Sequence, residues 1–263
     1  MRAIMDDDDE EINPFTMLLS HQHEPDDTKP NLLASAPPNQ ELLQKHFLHS
    51  IQSTVLIRLL PSEGLSFQLW PAATSLVSLL DSHRINPLTS PLSAAIPATP
   101  KILELGSGTG IVGIVAAATL GCNVTITDLP HVVPNLRFNA EANAGVVGSS
   151  GGAVNVAALR WGQGDDVEEI GREFDVIVAS DVVYHDHLYE PLLETLRLMM
   201  LVEKEQEKKK KMVFVMAHMR RWKKESVFFK KARKHFNVDV LHVDTPSNGS
   251  RVGVVVYRFV GKG

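Results

Sequence analysis

The chain has a single cysteine, Cys122, among 263 residues. A lone thiol excludes an internal disulfide framework and suits a reducing compartment. A surplus of basic charge is also missing: 26 Lys and Arg face 31 Asp and Glu, for a formal net charge of −5. Bulk electrostatics therefore point to no nucleic-acid partner. No apolar run reaches the length of a membrane span, so no membrane insertion is expected. The opening MRAIMDDDDEEINPF is acidic and has no long apolar stretch, so no secretory signal is expected there. The sequence shows no internal repeat. His185 and His187 form a pair without an evident third ligand, and no metal is expected. What is present is ordinary: 44% hydrophobic and 22% charged residues, enough for one large soluble domain or a domain with a tail. A cytoplasmic protein is the expectation. The run Lys208 to Lys211 reads as a solvated loop before a strand, with a nuclear address as the alternative.

Residues 1–40 are rich in Asp, Glu, Pro, Asn and His, including the acidic run Asp6 to Glu11. Such a segment cannot bury enough apolar surface to fold alone and reads as a largely disordered tail. Residues 41–263 then form the domain, with 41–99 as an N-terminal hairpin, helix and linker and 100–263 as the core. In the first part, SIQSTVLIRLL and GLSFQLW alternate like short strands around a turn at Pro61 to Gly64. Pro71 is placed to open the helix AATSLVSLLDSH, and INPLTSPLSAAIPATP is a proline-punctuated linker.

Strands and helices alternate from there. KILEL, NVTITD, VNVAALRW, FDVIVASD and MVFVMAH read as strands. IVGIVAAATLG, PHVVPNLRFNAEANAG, LYEPLLETLRLMM and KKESVFFKKARKHF read as helices, and GVVGSSGGA as a loop. This order predicts a parallel sheet with helices on both faces. Only TPSNGS separates VDVLHVD from RVGVVVYRFV, so these two close the sheet as an antiparallel hairpin.

The strongest motif is LELGSGTG, Leu103 to Gly110. A strand ends at Leu105, and the backbone of Gly106, Ser107, Gly108 and Gly110 can bend tightly and approach a ligand. The following helix points its positive end at that ligand. Asp128 closes the next strand 128 − 106 = 22 residues after the first glycine. That is about the ~20-residue spacing at which a carboxylate reaches ribose hydroxyls. Gly108, Gly110 and Gly113 also spell the nicotinamide fingerprint, but Gly106 already occupies the place after the strand. Glu104 would sit poorly beside a pyrophosphate, whereas the ammonium and sulfonium groups of S-adenosylmethionine suit a turn lined with carboxylates.

These residues resemble the seven-stranded methyltransferases of family 16, a group rich in non-histone protein-lysine methyltransferases. ELGSGTGIVGIVAA is similar to that family's first motif, and TITDLP to the end of its second strand. SFQLWPAA resembles the segment whose tryptophan, here Trp70, contacts the cofactor. ALRWG resembles the one whose tryptophan, here Trp161, lies against the adenine, and VASDVVY the acidic-x-x-aromatic motif, with Asp181 and Tyr184 in place. Ala179 falls where a backbone contact to the cofactor is expected. The resemblance spans roughly Leu65 to Tyr189. It implies a Rossmann-like, doubly wound, seven-stranded α/β sheet, mostly parallel, with S-adenosylmethionine as cofactor and a protein bearing a target lysine as partner. The tail, the segment Gly148 to Gly152 and EKEQEKKKK stand outside the pattern as insertions. Read singly, a tryptophan such as Trp70 or Trp161 is more ordinarily a core aromatic, and Asp181 has an alternative as the N-cap of the helix starting near Asp186.

The implied chemistry is in-line displacement from a sulfonium, with Asp181 and Tyr184 orienting the amine in an apolar channel. A small-molecule N-methyltransferase and a non-catalytic cofactor-binding module are the alternatives. An amino-base methyltransferase is disfavoured, because DVVY stands where its Asn-Pro-Pro-Tyr motif would be.

Overall fold

A computed structural model describes residues 41–201, 212–246 and 253–262. The acidic tail, the run Lys208 to Lys211 and part of the TPSNGS connection lie outside the described residues.

The expected parallel core is present. β3 (Lys101–Leu105), β4 (Asn123–Asp128), β5 (Ala153–Ala158), β6 (Val176–Ser180) and β7 (Val213–Met219) pair in parallel. β9 (Val254–Gly261) runs antiparallel to β7, and β8 (Phe236–Val243) closes that edge antiparallel to β9. The spatial order is β5-β4-β3-β6-β7-β9-β8. The chain therefore winds outward from β3 through β4 and β5, then returns to place β6 on the other side of β3. A crevice forms at such a reversal, beyond the carboxyl ends of the strands.

Helices cover both faces because both faces of the central strands are apolar. On one side lie α1 (Pro71–Ile85), α2 (Ile111–Leu120) and α3 (Val133–Ala142), which share a core with the N-terminal hairpin. Nine consecutive residues of α2, Ile111 to Thr119, are buried, as suits a helix pressed between α1 and the sheet. The other side holds α5 (Gly164–Ile170), α6 (Tyr189–Met200) and α7 (Ser226–Ala232) around Phe214, Phe228 and Phe259. α6 buries Tyr189, Leu192, Leu193, Leu196 and Met199, a single stripe at three- and four-residue spacing.

Three local expectations are corrected. The N-terminal hairpin exists, but β2 (Ser53–Leu59) pairs with β1 (Leu42–Leu48), in register Leu42↔Leu59, and not with GLSFQLW. GLSFQLW forms a 3-10 turn at Leu65–Phe67 that buries Phe67, and the Leu60 N–H donates to the Phe67 carbonyl to close the loop. Apolar alternation over so short a stretch does not separate a strand from a turn with one buried anchor. The glycine- and serine-rich GVVGSS is helical as α4 (Ala144–Ser149), anchored by buried Val147.

The hairpin is fastened to the core by side-chain amides. Asn143 Oδ1 accepts from the Leu56 N–H at 2.8 Å, and its Nδ2 donates to the Leu56 carbonyl at 2.7 Å. One helical turn earlier, Asn139 Oδ1 accepts from the Arg58 N–H at 2.8 Å while Nδ2 donates to the Arg58 carbonyl at 3.2 Å. The edge of β2 thus meets an array of amides where another strand would otherwise pair. Asn139 Nδ2 also donates to the Thr109 carbonyl at 2.8 Å, tying the hairpin to the glycine turn. At the far end, Asp81 of α1 accepts the His49 and Ser50 N–H groups, each at 2.9 Å.

Candidate functional site

The turn after β3 sits at the reversal between β3 and β6. Gly106 and Gly108 adopt φ of 61° and 55°, a region that side-chain-bearing residues rarely enter. A Cβ on Gly106 would stand 2.8 Å from Trp161 Cζ2 and 3.0 Å from Val182 Cγ1. The missing side chain therefore lets β3 end in contact with both the Trp161 ring and the segment after β6. Gly110, in the same left-handed region at φ 80°, starts α2.

Two buried carboxylates shape this turn. Glu104 Oε2 accepts the Gly113 N–H at 2.9 Å in the first turn of α2, while Oε1 is buried with no hydrogen-bond partner. Burial pushes its carboxyl up to about 8, partly offset by the Gly113 N–H and the Ser107 hydroxyl and reinforced by Asp128. Asp128 Oδ2 accepts the Gly108 N–H at 2.8 Å, and Oδ1 accepts the Leu129 N–H at 2.7 Å. Burial raises the Asp128 pKa, while those two N–H groups and His131 oppose the rise. Ser107 turns inward: its Oγ accepts the Thr127 N–H at 3.0 Å, and its own N–H donates to the Thr127 carbonyl.

The remaining predicted residues gather around this turn. Trp161 is half-buried with its ring edge over Gly106. Trp70 is half-buried at the start of α1, held by a 2.9 Å hydrogen bond from its indole N–H to the Leu65 carbonyl. Ala179 is buried in β6, and the β3–β6 register ends one residue before it, at Glu104↔Val178. Tyr184 is half-buried, its ring 4.7 Å from His185, and burial together with the Asp128 charge raises its pKa. His185 and His187 stack at 5.4 Å, and among the described residues no three His, Cys, Asp or Glu side chains are arranged to hold a metal ion.

Asp181 is the most committed of all. It has φ 53°, is buried, and its two oxygens accept from four donors. Oδ1 takes the Met219 N–H at 3.0 Å and Arg221 Nη1 at 3.2 Å, and Oδ2 takes the Ala72 N–H at 3.3 Å and Arg221 Nη2 at 3.0 Å. Behind it, His218 Nε2 lies 3.1 Å from Glu225 Oε2, and that same oxygen accepts the Arg221 N–H at 3.0 Å. The Arg221 guanidinium lies 5.3 Å from the centre of the Trp70 ring. Sequence reading did not nominate Arg221, His218 or Glu225. The available signal was the pattern HMRR at the end of β7, where charged residues follow a buried strand.

The arrangement fits S-adenosylmethionine on its own terms. The turn offers the bare backbone of Gly106, Gly108 and Gly110, with the Ser107 side chain turned inward, and it carries two acidic side chains for a cationic ligand. One buried carboxylate oxygen lacks a partner, and an indole edge overlies the first glycine.

Comparison with known proteins agrees. A lysine methyltransferase family model, family 16, matches residues 52–235. The chain is 31% identical over 197 residues to the zebrafish (Danio rerio) protein N-lysine methyltransferase METTL21A, covering 75% of this chain and 78% of that protein. It is 30% identical over 196 residues to the EEF1A lysine methyltransferase 3 of Mus musculus, covering 74% and 72%. In fold it is similar to the solved structure of a predicted O-methyltransferase, Atu636, from Agrobacterium tumefaciens. There the TM-score is 0.50 at 16% identity, covering 72% of this chain and 81% of that one. On the family match over residues 52–235 and these relatives, this chain belongs to the lysine methyltransferase family and is an S-adenosylmethionine-dependent enzyme.

Proposed function

We propose that the protein transfers methyl groups to a lysine side chain of a non-histone protein, with Trp70, Glu104, Gly106, Ser107, Gly108, Gly110, Asp128, Trp161 and Ala179 forming the cofactor side. The carrying observation is the pair of buried acidic side chains around the glycine turn, with the unpartnered Glu104 Oε1 among their oxygens. In this reading Glu104 faces the cofactor's ammonium, directly or through water, Asp128 its ribose hydroxyls and Trp161 its adenine. The inward-turned Ser107 shapes the turn through its backbone. When bound, the cofactor supplies an electrophilic methyl group on a sulfonium.

The protein's own task is alignment and electrostatics. A lysine nucleophile must arrive uncharged although its ordinary pKa is about 10.4. In this reading an apolar channel beside half-buried Tyr184 lowers that value by desolvation. Asp181 and Tyr184 follow β6 at the carboxyl end of the sheet, where acceptors bind in open α/β folds. A cytoplasmic location accompanies the proposal.

The test is incubation of the protein with tritiated S-adenosylmethionine and a cell extract, with Asp128→Ala as control. A labelled protein band with the wild type alone, and methyllysine found in it by mass spectrometry, is the expected result. Label confined to small molecules would replace this reading with the metabolite one. Cofactor binding without any transfer would leave a binding module.

A further inference from the structure

The acidic residue of the DVVY motif stands where an incoming amine would be met, yet its carboxylate is full. An ionised carboxylate offers about four lone-pair sites, and Asp181 uses them on two backbone N–H groups and both ends of the Arg221 fork. Both partners of the pair are almost wholly out of water, with side chains 2% exposed for Asp181 and 6% for Arg221. The donors come from two separate segments, the start of α1 and the end of β7. Ala72 lies in the first turn of α1, two residues past Trp70; Met219 ends β7; Arg221 follows it.

The pair also fixes what comes next. Asp181 sits in the left-handed region, which a short polar side chain tolerates. That turn aims Val182 at the cofactor loop, where its Cγ1 lies 3.0 Å from the place a Gly106 Cβ would occupy, and sets out Tyr184 two residues later. Tyr184 is the polar side chain of the motif left without a hydrogen bond among the described residues.

Charge gives the pair a second consequence. A bare carboxylate at this edge would pair with the target lysine in its ammonium form, and a protonated lysine is no nucleophile. The groups facing Asp181 are Arg221, His218 with Nδ1 3.8 Å away, and behind them Glu225. Arg221 alone reaches both oxygens.

We propose that Arg221 is a positioning residue for methyl transfer: its fork occupies the Asp181 carboxylate, keeps that charge away from the incoming amine, and locks together the segments that frame the acceptor channel. Asp181 then acts through geometry rather than by holding the amine. The proposal rests on the lysine-methylation reading above.

The experiment compares wild type with Arg221→Met, Asp181→Asn and the double variant. It measures transfer to the labelled acceptor protein between about pH 6.5 and 9.5, with cofactor affinity read by calorimetry. Asparagine is used because it also tolerates the left-handed backbone. Arg221→Met is expected to displace the rise of kcat/KM toward higher pH by about a unit, a roughly tenfold loss at neutral pH, with cofactor affinity little changed. Asp181→Asn leaves a lone buried cation and displaces the rise toward lower pH. The double variant returns it to the wild-type position. A purely structural pair would lower rates without moving the profile. The proposal is overturned if Arg221→Met keeps the wild-type profile, or if the double variant stays displaced. Should Arg221→Met fail to fold, Asp181→Asn decides by itself, since an unmoved profile with lost activity would make Asp181 a direct ligand of the amine. A wild-type protein that labels no protein overturns the lysine reading before any variant is compared, and this proposal with it.

Discussion

Replacing Asn139 by alanine should loosen two places at once. The side chain is wholly buried and makes three hydrogen bonds: from the Arg58 N–H at 2.8 Å, to the Arg58 carbonyl at 3.2 Å and to the Thr109 carbonyl at 2.8 Å. Truncation removes the partner of the Arg58 N–H and the Asn139 bond to the Thr109 carbonyl, and leaves the Arg58 carbonyl with the 3.4 Å contact from Asn135 Nδ2; a buried unsatisfied group costs about 1–3 kcal/mol. Alanine returns roughly half a kcal/mol of helix propensity. Counting the two short bonds and discounting for water at the partly buried β2 edge, the net loss is about 2–4 kcal/mol. For a domain of this size each kcal/mol lowers Tm by about 2–4 °C, so a drop of roughly 5–15 °C is expected. The control is Asn143→Ala, which removes the paired bonds to Leu56 and touches nothing in the glycine turn. Hydrogen exchange should show loss of protection in β2 for both variants, but in the turn around Thr109 only for Asn139→Ala. Its S-adenosylmethionine affinity should fall about five- to tenfold, the equivalent of ~1 kcal/mol, while that of Asn143→Ala holds. Equal affinities for the two variants would refute the claim that Asn139 couples hairpin to turn, and an unchanged Tm would refute the energetics.

Two further predictions concern the carboxylate-lined turn. Gly106→Ala puts a Cβ 2.8 Å from Trp161 and keeps a left-handed backbone, so calorimetric cofactor affinity should fall at least tenfold; wild-type affinity would show that Trp161 moves freely aside. Glu104, with its carboxyl pushed from 4.5 to about 8, holds a proton in the folded state that the unfolded chain has released. Folding stability should therefore fall as pH rises between about 5 and 8 and level off beyond, by linkage. Glu104→Gln should flatten that slope, and parallel Tm-against-pH curves for the two proteins would refute the burial argument.

Much of this was legible in the residues because sheet and turn are written locally. Runs such as KILEL and VIVAS are buried on both faces, and the ten residues 244–253 between β8 and β9 are too few for a crossover, so the two run antiparallel. The glycine turn announced itself because only glycine fits φ 61° beneath an indole edge. What escaped depends on distant partners. LLQKHFL has weak alternation and becomes a strand because β2 lies beside it. α5 is seven residues long with only Asp166 and Val167 buried, too short to show a period. The role of Arg221 required knowing that the ends of β6 and β7 lie side by side, at Ser180↔Ala217. No spacing in the chain states that. The asparagine array was visible as NLRFNAEAN, three amides four residues apart, but the pattern alone does not say which strand they meet.

That array carries a geometric limit of its own. Four helical residues rise about 6.0 Å, whereas two strand residues advance about 6.8 Å. Amides on a helix therefore read the backbone of a strand like a vernier, slipping by nearly an ångström at each step. Asn143 and Asn139 both pair squarely with alternate residues of β2, Leu56 and Arg58. The third mark falls short: Asn135 Oδ1 takes the Arg58 side-chain Nε at 2.8 Å, and its Nδ2 reaches back to the Arg58 carbonyl at 3.4 Å instead of onward to Leu60. The scale is exhausted after two divisions. A helix can thus stand in for a strand along only about four residues of edge, and this caps the length of hairpin the fold can carry without adding a true strand to hold it.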